Sequence, residues 1–68
     1  MNMKNNIKIE RAKHNITQAK LAELIEVSRQ TVNAMELNKY VPSTVLALKI
    51  SKIFSKNVNE IFFLEDKD

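Results

Sequence analysis

Apolar residues along the chain recur at spacings of three and four rather than two, the pattern of helices that bury one face. Ile7, Arg11 and His14 fall at such a spacing, as do Ile9 and Ala12, and predict a first helix over about 5–13. Asn15 is a plausible terminator, because Asn tolerates the left-handed backbone conformation. Thr17 then occupies an N-cap position, where its hydroxyl accepts from a free backbone N–H. A second helix, about 18–25, places Leu21, Ala22 and Ile25 on one face. Ser28 caps a third, about 29–37, whose inward face carries Val32, Met35 and Glu36. Val41-Pro42 is extended, since the residue before Pro is pushed out of the helical region. Ser43 caps a fourth helix, about 44–54, which turns Leu46, Ala47, Ile50, Ile53 and Phe54 inward. A break at Lys56-Asn57 precedes a short fifth helix, about 58–62. Both ends are short and β-tolerant, which leaves room for a two-stranded pairing of the N-terminal residues with 63–65.

The second and third helices carry the most information. Only Glu26 and Val27 separate the second helix from the Ser28 cap, so the two helices must cross steeply. Counting Gln18 as the first position, Leu21, Ala22, Ile25 and Val27 stand fourth, fifth, eighth and tenth; Val32 and Met35 stand fifteenth and eighteenth. Ala22 lies where the helices approach most closely, and a larger side chain there would separate them. This is the apolar spacing of a DNA-binding helix-turn-helix, unit boundaries about 18–37, in which the second helix enters the major groove. A generic helical hairpin reproduces three or four of these positions, but not six with a small residue at the crossing.

The other face of the third helix shows Gln30, Asn33, Ala34 and Leu37, with Arg29 at its edge. Amides and guanidinium groups read base edges: Gln or Asn pairs with adenine and Arg with guanine. A merely solvated face would carry Lys and Glu, and neither occurs between Arg29 and Met35. The free N–H groups and positive dipole end of this helix also favour phosphate.

Composition narrows the alternatives. With 68 residues one domain, 1–68, is the ceiling. The absence of Cys excludes disulfides, thiolate zinc sites and thiol catalysis. The absence of Gly excludes glycine-loop nucleotide and calcium motifs, and disfavours all-β architectures with tight hairpins. No apolar run, Ile61 to Leu64 included, exceeds four residues, far short of the ~20 that span a membrane. Neither a signal peptide nor a membrane segment is expected. Residues 1–40 hold seven positive and four negative groups, a net +3, while residues 41–68 hold four of each. A basic first half suits a polyanion, although many proteins with such a charge bind none. The last four residues, Glu65-Asp66-Lys67-Asp68, lean acidic.

The run Thr17-Gln18-Ala19-Lys20-Leu21-Ala22-Glu23-Leu24, followed by Val27-Ser28-Arg29-Gln30-Thr31-Val32, resembles the phage-repressor-like family (Cro and repressor, or Xre-type). So do 38–43, 46–50 and 57–62, and the resemblance covers about 5–64. It implies an all-α, compact five-helix domain of the lambda-repressor kind. It also implies the work of the short stand-alone members, which are dimeric transcriptional repressors of bacteria and phages, cytoplasmic and nucleoid-associated. By the same resemblance Ser28, Arg29, Gln30, Asn33 and Ala34 are base readers, Ala34 by touching a thymine methyl. Gln18, Thr31, Asn38, Lys39 and Tyr40 face phosphates, Gln18 through its side chain and the helix N-terminus. Arg11 and Glu36 match a pair that the family forms between its first and third helices. The ninth position of the unit, often Gly in the family, is Glu26 here; either Glu26 takes the left-handed conformation or the turn is built differently. Asn38, another frequent Gly position, takes that conformation more easily.

The remaining residues have plainer readings. His14 is the only His and, without Cys or an acidic cluster, makes no credible metal site. Tyr40 serves equally as a lid on the core. Glu10 and Glu60 lack any arrangement resembling an acid–base pair, and no catalytic site, cofactor or small-molecule effector site is expected. The segment 58–64 is more apolar than one helix face requires. One of Phe62 and Phe63 belongs in the core, and the other joins Ile61 and Leu64 as a candidate contact with a second copy, or packs under the N-terminal segment. The C-terminal stretch 58–68 is thus assigned to dimerisation and tail. The partners expected are double-stranded DNA and a second copy of the chain. The alternative is a protein-interaction module of the same fold, such as an antitoxin or anti-repressor.

Overall fold

The structure, a computed structural model, describes residues 3–65. In chain order the elements are β1 (Met3–Asn5), α1 (Ile7–His14), α2 (Gln18–Ile25), α3 (Arg29–Glu36), α4 (Thr44–Phe54), α5 (Val58–Ile61) and β2 (Phe62–Leu64). The architecture is the five-helix one expected, closed by an antiparallel pairing of the two ends: Met3 opposite Leu64, Lys4 opposite Phe63, Asn5 opposite Phe62. The pairing is one residue nearer α5 than the sequence suggests, because α5 stops at Ile61 and Phe62 is already extended. The strand also shortens α1, which begins at Ile7 instead of residue 5. Asn5 Oδ1 accepts from the Ile7 N–H at 3.1 Å at that start.

Hydroxyl caps set three helix starts. Thr17, Ser28 and Ser43 each accept from the backbone N–H three residues on, in Lys20, Thr31 and Leu46. The helix ends are equally regular. Asn15, Glu26, Asn38 and Ser55 all have positive φ, between 54° and 62°. After each, the next N–H reaches back five residues: Ile16 to Arg11, Val27 to Ala22, Lys39 to Ala34 and Lys56 to Ser51. That bond and a left-handed residue define the Schellman stop, a place where Gly is usual. This chain makes four such stops without Gly, each at about 1–2 kcal/mol of backbone strain, less for Asn. Glu26, at φ 62°, therefore takes the first of its two expected options.

The core is Ile7, Leu21, Ala22, Ile25, Val32, Met35, Ile50, Phe54, Ile61 and Phe62. α1 turns Ile7, Glu10 and part of Arg11 inward and leaves Ile9 and Ala12 exposed. Of the adjacent phenylalanines, Phe62 is buried and Phe63 is 40% exposed. Among the described residues no helix is long and apolar enough to cross a membrane.

Candidate nucleic-acid interface

α2 and α3 meet at the two-residue link and Ser28. Ala22, Ile25, Val32 and Met35 fill the inner corner, with Val27 half-buried beside them. Burial of this corner fixes the rotation of α3, and with it the direction of its polar face. Arg29, Gln30 and Asn33 are exposed on that face and Ala34 is half-buried. Together with Gln18 the first three line an open depression of about 270 Å³. Ser28 is exposed, but its hydroxyl already serves the helix, 3.1 Å from the Thr31 N–H and 2.9 Å from the Thr31 hydroxyl. Thr31 is half-buried against that cap. Asn38, Lys39 and Tyr40 lie exposed after α3. Asn38 is also tied back to β1: Asn5 Nδ2 donates to Asn38 Oδ1 at 3.1 Å and to the Met35 carbonyl at 2.8 Å.

Arg11 and Glu36 lie together behind this face. Arg11 Nε donates to Glu36 Oε2 at 2.6 Å and a second guanidinium nitrogen to Oε1 at 3.0 Å. The side chains are 14% and 6% exposed. A third guanidinium bond, to the Ile16 carbonyl at 3.1 Å, holds Arg11 under the α1–α2 turn. Burial pushes the Glu36 carboxyl up. Hydrogen bonds from Arg11 and Gln18, with the charges of Arg11 and Lys8, outweigh it and hold the pKa below the ordinary carboxylate value. Hydrogen bonding to Glu36 raises the Arg11 pKa against a smaller effect of burial. Both groups are thus charged across the physiological range.

Gln18 occupies a place that its sequence position did not reveal. Its amide nitrogen donates both to Glu36 Oε1, at 3.0 Å, and to Asn33 Oδ1, at 3.1 Å. A phosphate contact from that amide requires it to release one of these bonds; the backbone N–H groups that open α2 carry no such restriction. Asn5 and Glu10 were also missed as structural groups. Glu10 is 3% exposed. Its Oε2 lies 3.6 Å from Lys13 Nζ and 3.9 Å from Lys56 Nζ, while Oε1 has no hydrogen-bond partner among the described residues. A Glu between Ile9 and Arg11 carries no signal of burial, since only packing of α1 against the end of α4 creates it. His14 caps the same corner: its Nδ1 lies 2.9 Å from the Glu10 carbonyl and its ring centroid 5.1 Å from that of Phe54. No cluster of His, Cys, Asp or Glu among the described residues has the makings of a metal site.

One expected surface residue is misplaced. Ile61 is fully buried inside the monomer and has no surface to offer a second copy, because α5 turns it onto the core. Phe63 and Leu64, 40% and 55% exposed, keep theirs. Leu64 stands opposite Met3, and Met3 lines an apolar groove of about 250 Å³ with Val41, Pro42, Ala47, Leu48 and Phe62. The acidic tail expected from 65 onward lies, from residue 66, outside the described residues.

Comparison with known proteins agrees with this geometry. A family defined as helix-turn-helix matches residues 7–61. An uncharacterized HTH-type transcriptional regulator of Methanocaldococcus jannaschii is 50% identical over 66 residues, 97% of this chain and 100% of the relative. An uncharacterized HTH-type transcriptional regulator of Bacillus subtilis, YgzD, is 48% identical with the same coverage. Among solved structures, a candidate DNA-binding protein from Bacteroides fragilis superposes with a TM-score of 0.80 at 26% identity, covering 90% of this chain and 98% of that one. Profile, relatives and fold converge on the same unit of two crossed helices: the chain belongs to the Cro- and repressor-like helix-turn-helix family.

Proposed function

We propose that the chain is a cytoplasmic transcriptional repressor that binds a palindromic operator as a homodimer, with α3 of each copy in the major groove. As a member of this family it is a helix-turn-helix transcriptional regulator, acting by binding and not an enzyme. The observation that carries the proposal is the outer face of α3: Arg29, Gln30 and Asn33 stand exposed and uninterrupted by acid on a helix whose rotation the core fixes. Ser28 and Ala34 flank these three as base readers, and Lys39, Tyr40, Asn38, Thr31 and the start of α2 at Gln18 supply phosphate contacts. Phosphate contacts position the protein and base contacts specify the sequence.

The second copy is supported by surface chemistry. A chain of 68 residues leaves Val41, Val45, Leu48, Phe63 and Leu64 between 40% and 62% exposed. Several of these adjoin the apolar groove, and apolar surface of that kind is usually covered in a partner. Reading a palindrome requires the recognition helices of the two copies to lie about one DNA turn (~34 Å) apart. Selection of bound duplexes from a random pool tests the whole proposal. The expected outcome is an inverted repeat with that spacing, and repression of a reporter that carries it. A pool that enriches no sequence refutes DNA reading; a single half-site bound by one chain refutes the dimer.

A further inference from the structure

The turn after α3 is held from the far end of the chain. Asn5, half-buried in β1, donates one hydrogen of its NH2 group to the Met35 carbonyl at 2.8 Å and the other to Asn38 Oδ1 at 3.1 Å. Its oxygen accepts from the Ile7 N–H at 3.1 Å. A carbonyl only accepts and a backbone N–H only donates, so the Asn5 amide has a single orientation. Asn38 must then meet the Asn5 NH2 group with its oxygen. Its own NH2 group is left with no acceptor among the described residues, on an exposed side chain. The Met35 carbonyl also accepts from the Asn38 N–H at 3.0 Å, so Asn5 supports the backbone of this left-handed residue, φ 61°, as well as its side chain. Asn5 is fixed in turn by the closing of the chain ends: it stands opposite Phe62 of β2, and the Asn6 N–H donates to the Ile61 carbonyl at 2.8 Å.

We infer that Asn5 is a positioning residue of the DNA interface, turning the Asn38 amide so that its NH2 group meets a backbone phosphate. Phosphate oxygens only accept, so an Asn side chain grips them through its NH2 group alone. The lone pair that Asn38 Oδ1 keeps beside the bond from Asn5 is of no use to such a partner. A free amide would turn its oxygen outward as readily as its nitrogen; the Asn5 NH2 group removes that choice. A side chain ordered in advance also loses less freedom when DNA immobilises it. Asn5 acts through Asn38 and not on the DNA itself. The paired chain ends thereby take part in binding, because β2 docks β1 and β1 carries Asn5 to the end of α3. The inference rests on the DNA-binding proposal and adds to it a residue outside the helix-turn-helix unit.

The test uses the full chain and the duplex selected from a random pool, with each phosphate along the site replaced in turn by a neutral methylphosphonate. The phosphate held by Asn38 is the one whose replacement weakens the native chain more than it weakens Asn38→Ala. Asn5→Ser keeps an oxygen to accept from the Ile7 N–H and withdraws the NH2 donor. It should bind the unmodified duplex about three- to tenfold more weakly than the native chain, the size of one hydrogen bond. It should also lose the extra native penalty at that one phosphate and keep the native response at the others. Added to Asn38→Ala, it should cost no further affinity. A general loss of fold weakens binding to every duplex alike, and comparing modified with unmodified duplex divides it out. Asn5→Ala also withdraws the donor and provides the same test if Asn5→Ser fails to melt cooperatively. A folded Asn5 variant that keeps the full native penalty at that phosphate overturns the inference. So does an Asn38→Ala chain that matches the native one at every phosphate. Both results leave DNA reading intact. A pool that yields no site removes the underlying proposal, and the inference with it.

Discussion

Replacing Glu36 with Ala should destabilise the protein severely, although Glu36 sits on the helix whose outer face is exposed and polar. The substitution strips Arg11 of two of its three hydrogen-bond partnerships and leaves a guanidinium that is 14% exposed with only the Ile16 carbonyl. Gln18 loses an acceptor as well. Breaking one side of a buried pair destabilises by about 3–5 kcal/mol, and partial access of water to Arg11 points to the lower end, about 3 kcal/mol. A chain of this length has a total stability of about 3–10 kcal/mol. The variant should therefore melt about 12–24 °C lower, taking about 4–8 °C per kcal/mol for a small domain. Urea and thermal melts followed by circular dichroism measure this, at one fixed protein concentration so that self-association does not enter the comparison. A loss within about 0.5 kcal/mol, that of an ordinary surface substitution, refutes a structural role for the pair.

The same pair sets the direction of a pH effect. The folded-state pKa of Glu36 lies below its ordinary value of 4.5, so the unfolded chain takes up a proton first as the medium is acidified. Its stabilising contribution is therefore full above that ordinary value and is lost as pH falls through the lower folded value. Stability of the native chain should fall more steeply on acidification below 4.5 than stability of Glu36→Gln. Parallel curves for the two proteins would refute the assignment of the depressed pKa to Glu36.

Three further outcomes follow from the structure. Glu26→Gly removes a left-handed non-Gly residue, φ 62°, and loses only an exposed contact with Lys49 at 3.3 Å; it should raise stability by about 0.5–1 kcal/mol in denaturant melts, net of the backbone entropy of Gly. A loss of stability would mean that the α2–α3 stop depends on the Glu26 side chain. Lys39→Ala should weaken binding of selected and scrambled duplexes by the same factor and reduce the slope of log affinity against log salt by about 1; a loss confined to the selected site would make Lys39 a base reader. Glu10→Met removes a buried carboxylate with one oxygen unpartnered among the described residues, and should leave stability unchanged or raise it by about 1 kcal/mol, whereas a loss beyond ~2 kcal/mol would show that Lys13 and Lys56 hold it more strongly than their 3.6 and 3.9 Å distances indicate.

Periodicity made the helices and the inner corner of α2 and α3 legible because both follow from local spacing and burial. Leu21, Ala22, Ile25, Val32 and Met35 are spaced so that only one rotation of each helix hides them all, and the structure buries all five. The hydroxyl caps at 17, 28 and 43 were legible for a similar reason: each acts on a backbone group three residues away. Where Ile61 points was not. A four-residue helix presents barely one turn, and its apolar neighbours Phe62, Phe63 and Leu64 satisfy either face. Docking of β2 on β1 decides the matter, through partners 57 or more residues apart along the chain.

The polar interior was harder to read for a deeper reason. Apolar contacts are non-directional, so a face is enough to define them. Hydrogen bonds require a donor to meet an acceptor, and which side chains meet depends on packing between elements. Gln18 looked like a phosphate ligand because it opens α2 beside the expected groove, and nothing local says that Asn33 and Glu36 come within 3.1 Å of its amide. Yet once the ion pair is placed, little freedom remains. Arg11 donates, Glu36 accepts, Gln18 turns its nitrogen inward and Asn33 turns its oxygen to meet it. The core thus sets more than the angle at which α3 is presented. Through four side chains it also sets how the Asn33 amide is turned on the outer face of α3, with its oxygen toward Gln18.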